Sequence, residues 1–240
     1  MKRYLSFDME TAKVLPADTK DLLQHRPLGI ACATAVAEDD TTNSFRWNGW
    51  DISKRPANQM TPKEAEQLVI DLMDLSAKGY TLLTWGGTSF DFDVLAEESG
   101  RVNECASLAK NHVDMLFHIF CSLGYPVSLQ KAAEGMRLSG KKTGISGALA
   151  PSMWAAGQYE EVLEYCMRDS NLTLQIAKQC ERSRQFAWIT QRGTTRQLAL
   201  PNGWLTVQEA YHLPLPDISW MEDPKSRDDI IRWLFKGDHI

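Results

Sequence analysis

The chain has 240 residues, 43% of them hydrophobic and 24% charged, which is the composition of a folded globular protein and excludes a disordered or collagen-like one. Its formal net charge of -5 argues against a broad cationic surface for duplex DNA but is compatible with a local basic groove. No apolar run approaches the roughly 18 residues of a membrane helix, acidic residues precede any stretch resembling a signal peptide, and the five scattered cysteines form no CxxC pair. We therefore expect a cytoplasmic protein without membrane contact, disulfide framework or zinc site.

The first third of the chain predicts three strands and a helix. Apolar and polar residues alternate from Tyr4 to Glu10 with the period of a strand, which places Asp8 and Glu10 on the same side. Residues 30–37 and 42–47 predict two further strands in an antiparallel arrangement. Thr61 and Glu64 form a capping-box pattern for a helix that we expect to end at Gly79.

The middle of the chain predicts alternating strands and helices. Residues 80–85 suit a buried strand, and the next segment turns into a helix, so Asp91 lies near a strand-to-helix junction. Helices are predicted at residues 102–123 and 128–137, and a long one at residues 159–182. This order predicts an α/β fold with a mixed sheet flanked by helices.

After residue 184 the pattern changes to short elements. Residues 198–200 and 204–207 flank Pro201 to Gly203 and predict a hairpin, and Ser226 with Asp229 predicts the start of a final helix. We therefore predict two parts, a domain at residues 1–184 and a small C-terminal appendage at residues 185–240.

Three short fragments carry the chemistry: FDMET at residues 7–11, FDFDVL at residues 90–95 and YCMRD at residues 165–169. Their convergence would bring together the carboxylates of Asp8, Glu10, Asp91 and Asp169. Such clustered carboxylates repel one another unless cations neutralise them. Oxygen ligands suit Mg²⁺ or Mn²⁺, and a pair of such ions can stabilise the attacking and leaving oxygens of a phosphodiester. We therefore predict two Mg²⁺ or Mn²⁺ ions held by the four carboxylates.

Tyr165 lies four residues before Asp169, so a helix places the phenol and the carboxylate on one face. A phenol need not ionise to orient a water molecule, because its hydroxyl can accept a hydrogen bond. The alternative is a purely structural role, in which the ring packs on the hydrophobic core and the hydroxyl is solvated. The spacing favours the functional role.

The order of these motifs along the chain and the residue types within them resemble those of the DEDDy exonucleases. The resemblance is strongest to the proofreading domain of family B DNA polymerases and its stand-alone relatives. The resemblance covers about residues 1–182. It implies a ribonuclease-H-like fold and metal-dependent 3′-to-5′ hydrolysis of single-stranded DNA or RNA to nucleoside 5′-monophosphates, an activity used in DNA repair. It also implies that Tyr165 positions the water and that Thr11 and Phe90 contact the substrate.

Two positions test this resemblance. The family usually has an asparagine four residues before the phenylalanine of the second motif, where this chain has Gly86. The related DEDDh pattern requires a histidine five residues before Asp169, where this chain has Glu164. The sequence therefore favours the tyrosine-type subclass with an altered second motif.

Several other polar residues have competing interpretations. Asp93 competes with Asp91 as a ligand, but we predict that it is a solvated helix residue. His112, Asp114 and His118 suggest a metal cluster, yet on one helix they would spread around it, so solvation or capping is favoured, and Asp114 is a candidate to brace the active site. The basic residues of the next loop, Arg137, Lys141 and Lys142, suit phosphate contact and simple solvation equally well.

Three functions remain open from the sequence. The first is the 3′-to-5′ exonuclease. Its rival is a catalytically silent ribonuclease-H-like module that binds nucleic acid or recruits a partner, although such modules usually lose their acids and all four are present here. A third role, the binding of a protein partner by the C-terminal appendage, is compatible with catalysis.

Overall fold

The computed structural model describes residues 2–16, 18–39, 44–138 and 147–235, and its centre is a five-stranded sheet. The order across the sheet is β3-β2-β1-β4-β5. Strand β2 pairs antiparallel with β1 and β3, whereas β4 pairs parallel with β1 and β5. The strands are β1 (Arg3–Thr11), β2 (Ile30–Ala37), β3 (Ser44–Asn48), β4 (Tyr80–Thr84) and β5 (Val113–Asp114).

Nine α-helices and a hairpin surround this sheet within the described ranges. Two short 3-10 helices add to them at Leu22–His25 and Arg232–Phe235. The hairpin consists of β6 (Gln185–Ile189) and β7 (Thr195–Ala199). The helices are α1 (Pro62–Ala77), α2 (Asp91–Ser99), α3 (Val102–Asn111), α4 (Met115–Leu123), α5 (Leu129–Gly135), α6 (Ala150–Ala155), α7 (Tyr159–Ser183), α8 (Val207–Tyr211) and α9 (Arg227–Ile231).

The helices cover both faces of the sheet. On one face, Leu5, Phe7 and Met9 of β1 pack against the buried sides of α1, α2 and α3. On the other face, Tyr4 of β1 and Leu83 of β4 belong to a second cluster with α5 and α7. Strand β1 is therefore buried on both faces, and its polar side chains are directed towards α7. This arrangement confirms the predicted α/β fold with a mixed sheet flanked by helices.

Several local predictions are confirmed. Helix α1 begins with a capping box in which Thr61 and Glu64 bond each other's backbone amides. Asp91 is the first residue of α2, directly after the turn that follows β4. A further capping box, between Ser226 and Asp229, begins α9.

The single helix predicted at residues 102–123 is wrong. The chain forms α3 and α4 with the two-residue strand β5 between them, because Val113 and Asp114 pair with Leu83 and Thr84 of β4. Asp114 then accepts a hydrogen bond from the amide of Phe117 at 3.1 Å and caps α4. Strand pairing with a distant partner therefore overrides the helical periodicity here.

The hairpin is also placed differently from the prediction at residues 198–200 and 204–207. It lies earlier, at β6 and β7, and turns through Gly193, whose φ of +77° suits a residue without a side chain. The predicted second strand is absent because Thr206 caps α8 and Val207 begins it.

The C-terminal segment, residues 185–235, packs into both core clusters. Trp188 and Trp204 belong to the cluster under α5 and α7, whereas Ile231 and Trp233 belong to the cluster under α1 and α2. The division into parts at residues 184 and 185 stays a prediction, and residues 236–240 lie outside the described ranges. So do Lys141 and Lys142. Within the described ranges, none of the helices combines the length and the apolar character needed to cross a bilayer.

Candidate active site

Asp8 and Glu10 lie near the end of β1, on the side that faces α7. The apolar neighbours Phe7 and Met9 point into the opposite cluster, so strand geometry alone directs both carboxylates towards this helix. Glu10 is only 8% exposed and Asp8 is half-buried. The pairing with β2 shifts by one residue between Glu10 and Thr11, and Thr11 ends the strand as a buried residue.

Helix α7 contributes Tyr165 and Asp169. Both are buried, because this part of α7 lies across β1 and β2. The four-residue spacing brings the phenol and the carboxylate together as predicted, and the two side chains form a hydrogen bond. Burial, followed by the charges of Asp169, Glu10 and Asp8, raises the pKa of Tyr165, so the phenol stays protonated.

Asp91 reaches the cluster from the start of α2. Its carboxylate is 6% exposed, and the backbone of Met9 in β1 donates a hydrogen bond to it. Burial and then the charge of Asp114 raise its pKa to about 7. Phe90 precedes it as the cap residue and packs on the α1–α2 cluster.

Glu10 lies at the electrostatic centre of the cluster. Burial raises its pKa well above the ordinary value, and the negative charges of Asp8, Asp169 and Asp91 add to this shift. All four carboxylates predicted from the motifs are therefore close enough to act on one group. A set of buried carboxylates that repel one another fits hard divalent cations, since such ions prefer oxygen ligands.

The thiol of Cys166 approaches the same place. Ligand atoms of Asp8, Glu10 and Cys166 all lie within 4.8 Å of one another. The Cys166 thiol, however, donates to the carbonyl of Asp8 at 3.3 Å and accepts from the hydroxyl of Thr34 at 3.2 Å. Burial raises its pKa well above the ordinary value, so the group remains a thiol. Its contacts therefore fasten α7 to β1 and β2, and the thiol is already engaged in hydrogen bonds.

The turn that carries Asp91 is held from two sides. Asp114 accepts hydrogen bonds from the amides of Gly86 at 2.8 Å and Thr88 at 2.9 Å. The indole of Trp233 donates to the carbonyl of Thr88 at 2.7 Å. The motifs gave no sign of Trp233, whereas the expectation that Asp114 braces this region agrees with its contacts.

Gly86 occupies the position where the resembled family has asparagine. Its φ of +93° lies in the region that favours glycine, and a Cβ there would lie 3.2 Å from the side chain of Leu116. Glycine at position 86 therefore suits the backbone conformation of the turn whose amides bond Asp114.

The remaining polar candidates lie outside the carboxylate cluster. Asp93 is paired with Arg26 and is not simply solvated. His112 is buried and shares a hydrogen bond with Thr84 at 2.9 Å, and His118 accepts from the amide of Leu205 at 3.2 Å. Both histidines are buried, so the expected solvation is wrong, whereas the expected capping role holds for His112, the C-cap residue of α3.

Comparisons with known proteins bear on this architecture. A family model described as the RNase H superfamily matches residues 31–180. The family B DNA polymerase from the hyperthermophilic archaeon Pyrobaculum calidifontis is similar in structure, with a TM-score of 0.51 and 14% sequence identity. The similarity covers 75% of this chain but 25% of the polymerase chain, and at this identity it concerns the fold alone. No curated protein sequence matches the chain.

Proposed function

The chain belongs to the RNase H superfamily, and on that premise we propose that it is a metal-dependent nuclease that removes nucleotides from the 3′ end of single-stranded DNA or RNA. Membership in the superfamily confirms the predicted ribonuclease-H-like fold. The observation that carries the proposal is the convergence of Asp8, Glu10, Asp91 and Asp169 beside Tyr165. The products would be nucleoside 5′-monophosphates.

The four carboxylates would hold two Mg²⁺ or Mn²⁺ ions. When bound, such a pair supplies positive charge for the attacking and leaving oxygens of a phosphodiester. The donor set supports this choice, because the cluster offers carboxylate oxygens, while the nearby thiol of Cys166 is engaged with the backbone of Asp8 and with the thiol of Cys32.

Tyr165 would orient the attacking water. Its hydroxyl is held by Asp169, and its raised pKa keeps it neutral at the pH of the reaction. A neutral hydroxyl that donates to a carboxylate still has lone pairs that accept a hydrogen bond from water. This role needs no proton transfer through the phenol itself.

Thr11 and Phe90 would contact the terminal nucleotide. Thr11 follows Glu10 at the end of β1, and Phe90 precedes Asp91 at the start of α2. Each residue therefore lies beside a proposed ligand at the rim of the cluster. A ring at this position can stack on a base, and a hydroxyl can bond the terminal sugar.

The experiment gives the purified protein Mg²⁺ or Mn²⁺ and a single-stranded oligonucleotide labelled at its 5′ end, as DNA and as RNA. We expect a ladder of products shortened from the 3′ end, release of 5′-monophosphates, and no reaction when the 3′ end is blocked. Binding of the oligonucleotide without cleavage in either metal would instead support the silent binding module. Internal cuts on blocked substrates would contradict the end specificity.

A further inference from the structure

One face of α7 carries a polar and basic stripe. Its members recur at intervals of three and four residues, so they lie on the same side of the helix. Arg168, the first of them, directly precedes the proposed ligand Asp169, and the last lies about 20 Å along the helix. The stripe consists of Arg168, Asn171, Gln175, Lys178 and Arg182.

Two cavities continue this stripe towards the β6–β7 hairpin. The first has a volume of about 320 Å³ and is lined by Asn171, Gln175, Lys178 and Arg182, among others. The second has a volume of about 460 Å³ and includes Arg137, Gln185 and Gln197 in its lining. Because Gln179 lines both cavities, they form one trough, which we call the α7 trough.

The charge along this part of the chain is opposite to that of the whole. Residues 178–197 contain five basic residues and a single acidic one, although the full chain carries a net charge of -5. The acidic residue, Glu181, pairs with Arg184 at 2.8 Å, and Glu134 beside the second cavity pairs with Lys131 at 3.0 Å. These two carboxylates are thus already paired, while Lys178 and Arg182 line the first cavity and Arg137 lines the second.

The trough is built on a fixed scaffold. The backbone of Gly135 in α5 lies against Trp188 of β6 so closely that a Cβ would collide with it. Gln179 donates to the carbonyl of Met136 at 3.1 Å, and the Met136 sulfur accepts from the amide of Ala187 at 3.2 Å. These contacts join α5, α7 and the hairpin, so a ligand would meet a preformed surface.

We propose that the α7 trough binds the phosphate backbone of the nucleic acid strand whose 3′ end lies at the carboxylate cluster. This inference rests on the proposed function. Lysine and arginine supply charge for phosphates, and the glutamine and asparagine amides supply further donors without a need for a particular base. At about 3.4 Å per nucleotide of a helical strand, a trough of about 20 Å would bind about six nucleotides.

The test measures binding in EDTA, so that hydrolysis does not interfere. The double variant Lys178→Gln/Arg182→Gln removes two charges of the trough, and Lys63→Gln/Lys225→Gln removes two exposed charges elsewhere with the same change of net charge. We expect the trough variant to bind a 12-nucleotide single strand about tenfold more weakly at 0.1 M salt. Its plot of log affinity against log salt should be shallower by roughly 1.4, since each phosphate contact with a single strand contributes about 0.7. The control variant should match wild type.

Hydrolysis provides an independent readout. With Mg²⁺ or Mn²⁺, a trinucleotide of about 10 Å is too short to extend from Asp169 to Lys178 and Arg182, so its turnover should be equal in wild type and in the trough variant. If neither protein hydrolyses any substrate but the trough variant still binds the oligonucleotide more weakly than wild type, the proposed exonuclease function is contradicted. Binding of nucleic acid by the α7 trough is then still supported. Equal salt slopes for all three proteins would overturn the trough while leaving the exonuclease intact. Arg182 is exposed, so Arg182→Gln alone, with an expected change in slope of about 0.7, serves if the double variant unfolds.

Discussion

Two of the buried charged sites in the described part of the chain differ in what surrounds the charge. In the C-terminal segment, Arg227 is only 9% exposed. Its guanidinium donates to the carbonyls of Tyr211 at 2.5 Å and Leu213 at 2.7 Å, and also to those of Cys121 and Pro214. The backbone of the protein itself thus replaces the water that this cation has lost.

In the carboxylate cluster, the neighbours of the buried charge are further negative charges. Asp8, Asp169 and Asp91 all raise the pKa of Glu10, in addition to its burial. Burial of repelling groups is costly unless they are protonated or neutralised. The contrast separates a buried charge that the backbone stabilises from a set of carboxylates for which we propose bound cations, and it makes different predictions for mutations in the two places.

The largest effect should follow the loss of a proposed ligand. Asp8→Ala or Asp169→Ala should reduce hydrolysis by roughly a thousandfold or more, because several kcal/mol of charge stabilisation are lost. The melting temperature should be unchanged or higher, since each change also removes repulsion. Single-turnover kinetics and thermal melts measure the two quantities. Activity above a tenth of wild type would contradict the assignment.

The second motif allows a comparison of neighbouring acids. Asp91→Asn should lower turnover by roughly a thousandfold because it removes a proposed ligand, whereas Asp93→Asn should lower it by about threefold at most, because a partly exposed ion pair contributes little. Asp93 pairs with Arg26 and serves as the matched control. Turnover is measured at saturating metal. Equal losses would show that the second motif has been read in the wrong register.

Tyr165→Phe tests a smaller contribution from the same cluster. The change keeps the ring and removes the hydroxyl, so turnover should fall by about 10 to 1,000-fold while stability changes little. Metal binding should persist because the four carboxylates are untouched. The measurements are single-turnover kinetics and an oligonucleotide titration in calcium, which we expect to occupy the site without supporting turnover. Turnover equal to that of wild type would identify the ring as core packing.

The elements that the sequence predicted correctly have local signals. The alternation in β1 indicates which side chains share a face, and Thr61 with Glu64 marks the start of α1 within four residues. The spacing of Tyr165 and Asp169 brings their side chains together on a single helix. In each case the residues that determine the geometry are neighbours in the chain.

The features that the sequence missed depend on distant partners. Residues 113–114 have helical periodicity, but they pair with β4, about thirty residues earlier. The sequence predicts a hairpin turn at residues 201–203, whereas β7 pairs with β6 and the turn lies at Gly193. Trp233 contacts Thr88 across most of the chain, and no local pattern encodes such a contact.

Because Arg227 is bonded to backbone carbonyls, we expect Arg227→Met to lower the free energy of unfolding and to leave the rate of hydrolysis unchanged. The change leaves the four carbonyl groups without their donor, which should cost about 3 kcal/mol in the free energy of unfolding. Arg232→Met is the matched control, since Arg232 is exposed and forms an ion pair with Asp229 on the surface. Denaturant unfolding measures both variants. At low temperature, the turnover per folded molecule should equal that of wild type for both variants. A thousandfold loss of turnover in Arg227→Met would contradict the prediction that Arg227 affects stability alone.

The smallest effect concerns Trp233, where the C-terminal segment meets the carboxylate cluster. Trp233→Phe keeps most of the packing but removes the bond to the carbonyl of Thr88, three residues before Asp91. Losing one buried hydrogen bond should lower stability by about 1 kcal/mol. If that bond also positions the turn, turnover should fall about threefold to tenfold, because small displacements of a reacting group are costly. Trp220→Phe is the control, since Trp220 is 67% exposed and its indole donates to the carbonyl of Asp217, within its own segment, at 3.2 Å. A lower melting temperature with unchanged turnover would show that the segment only stabilises the fold. A loss of turnover at a temperature where both variants are fully folded would show that it also holds Asp91 in place.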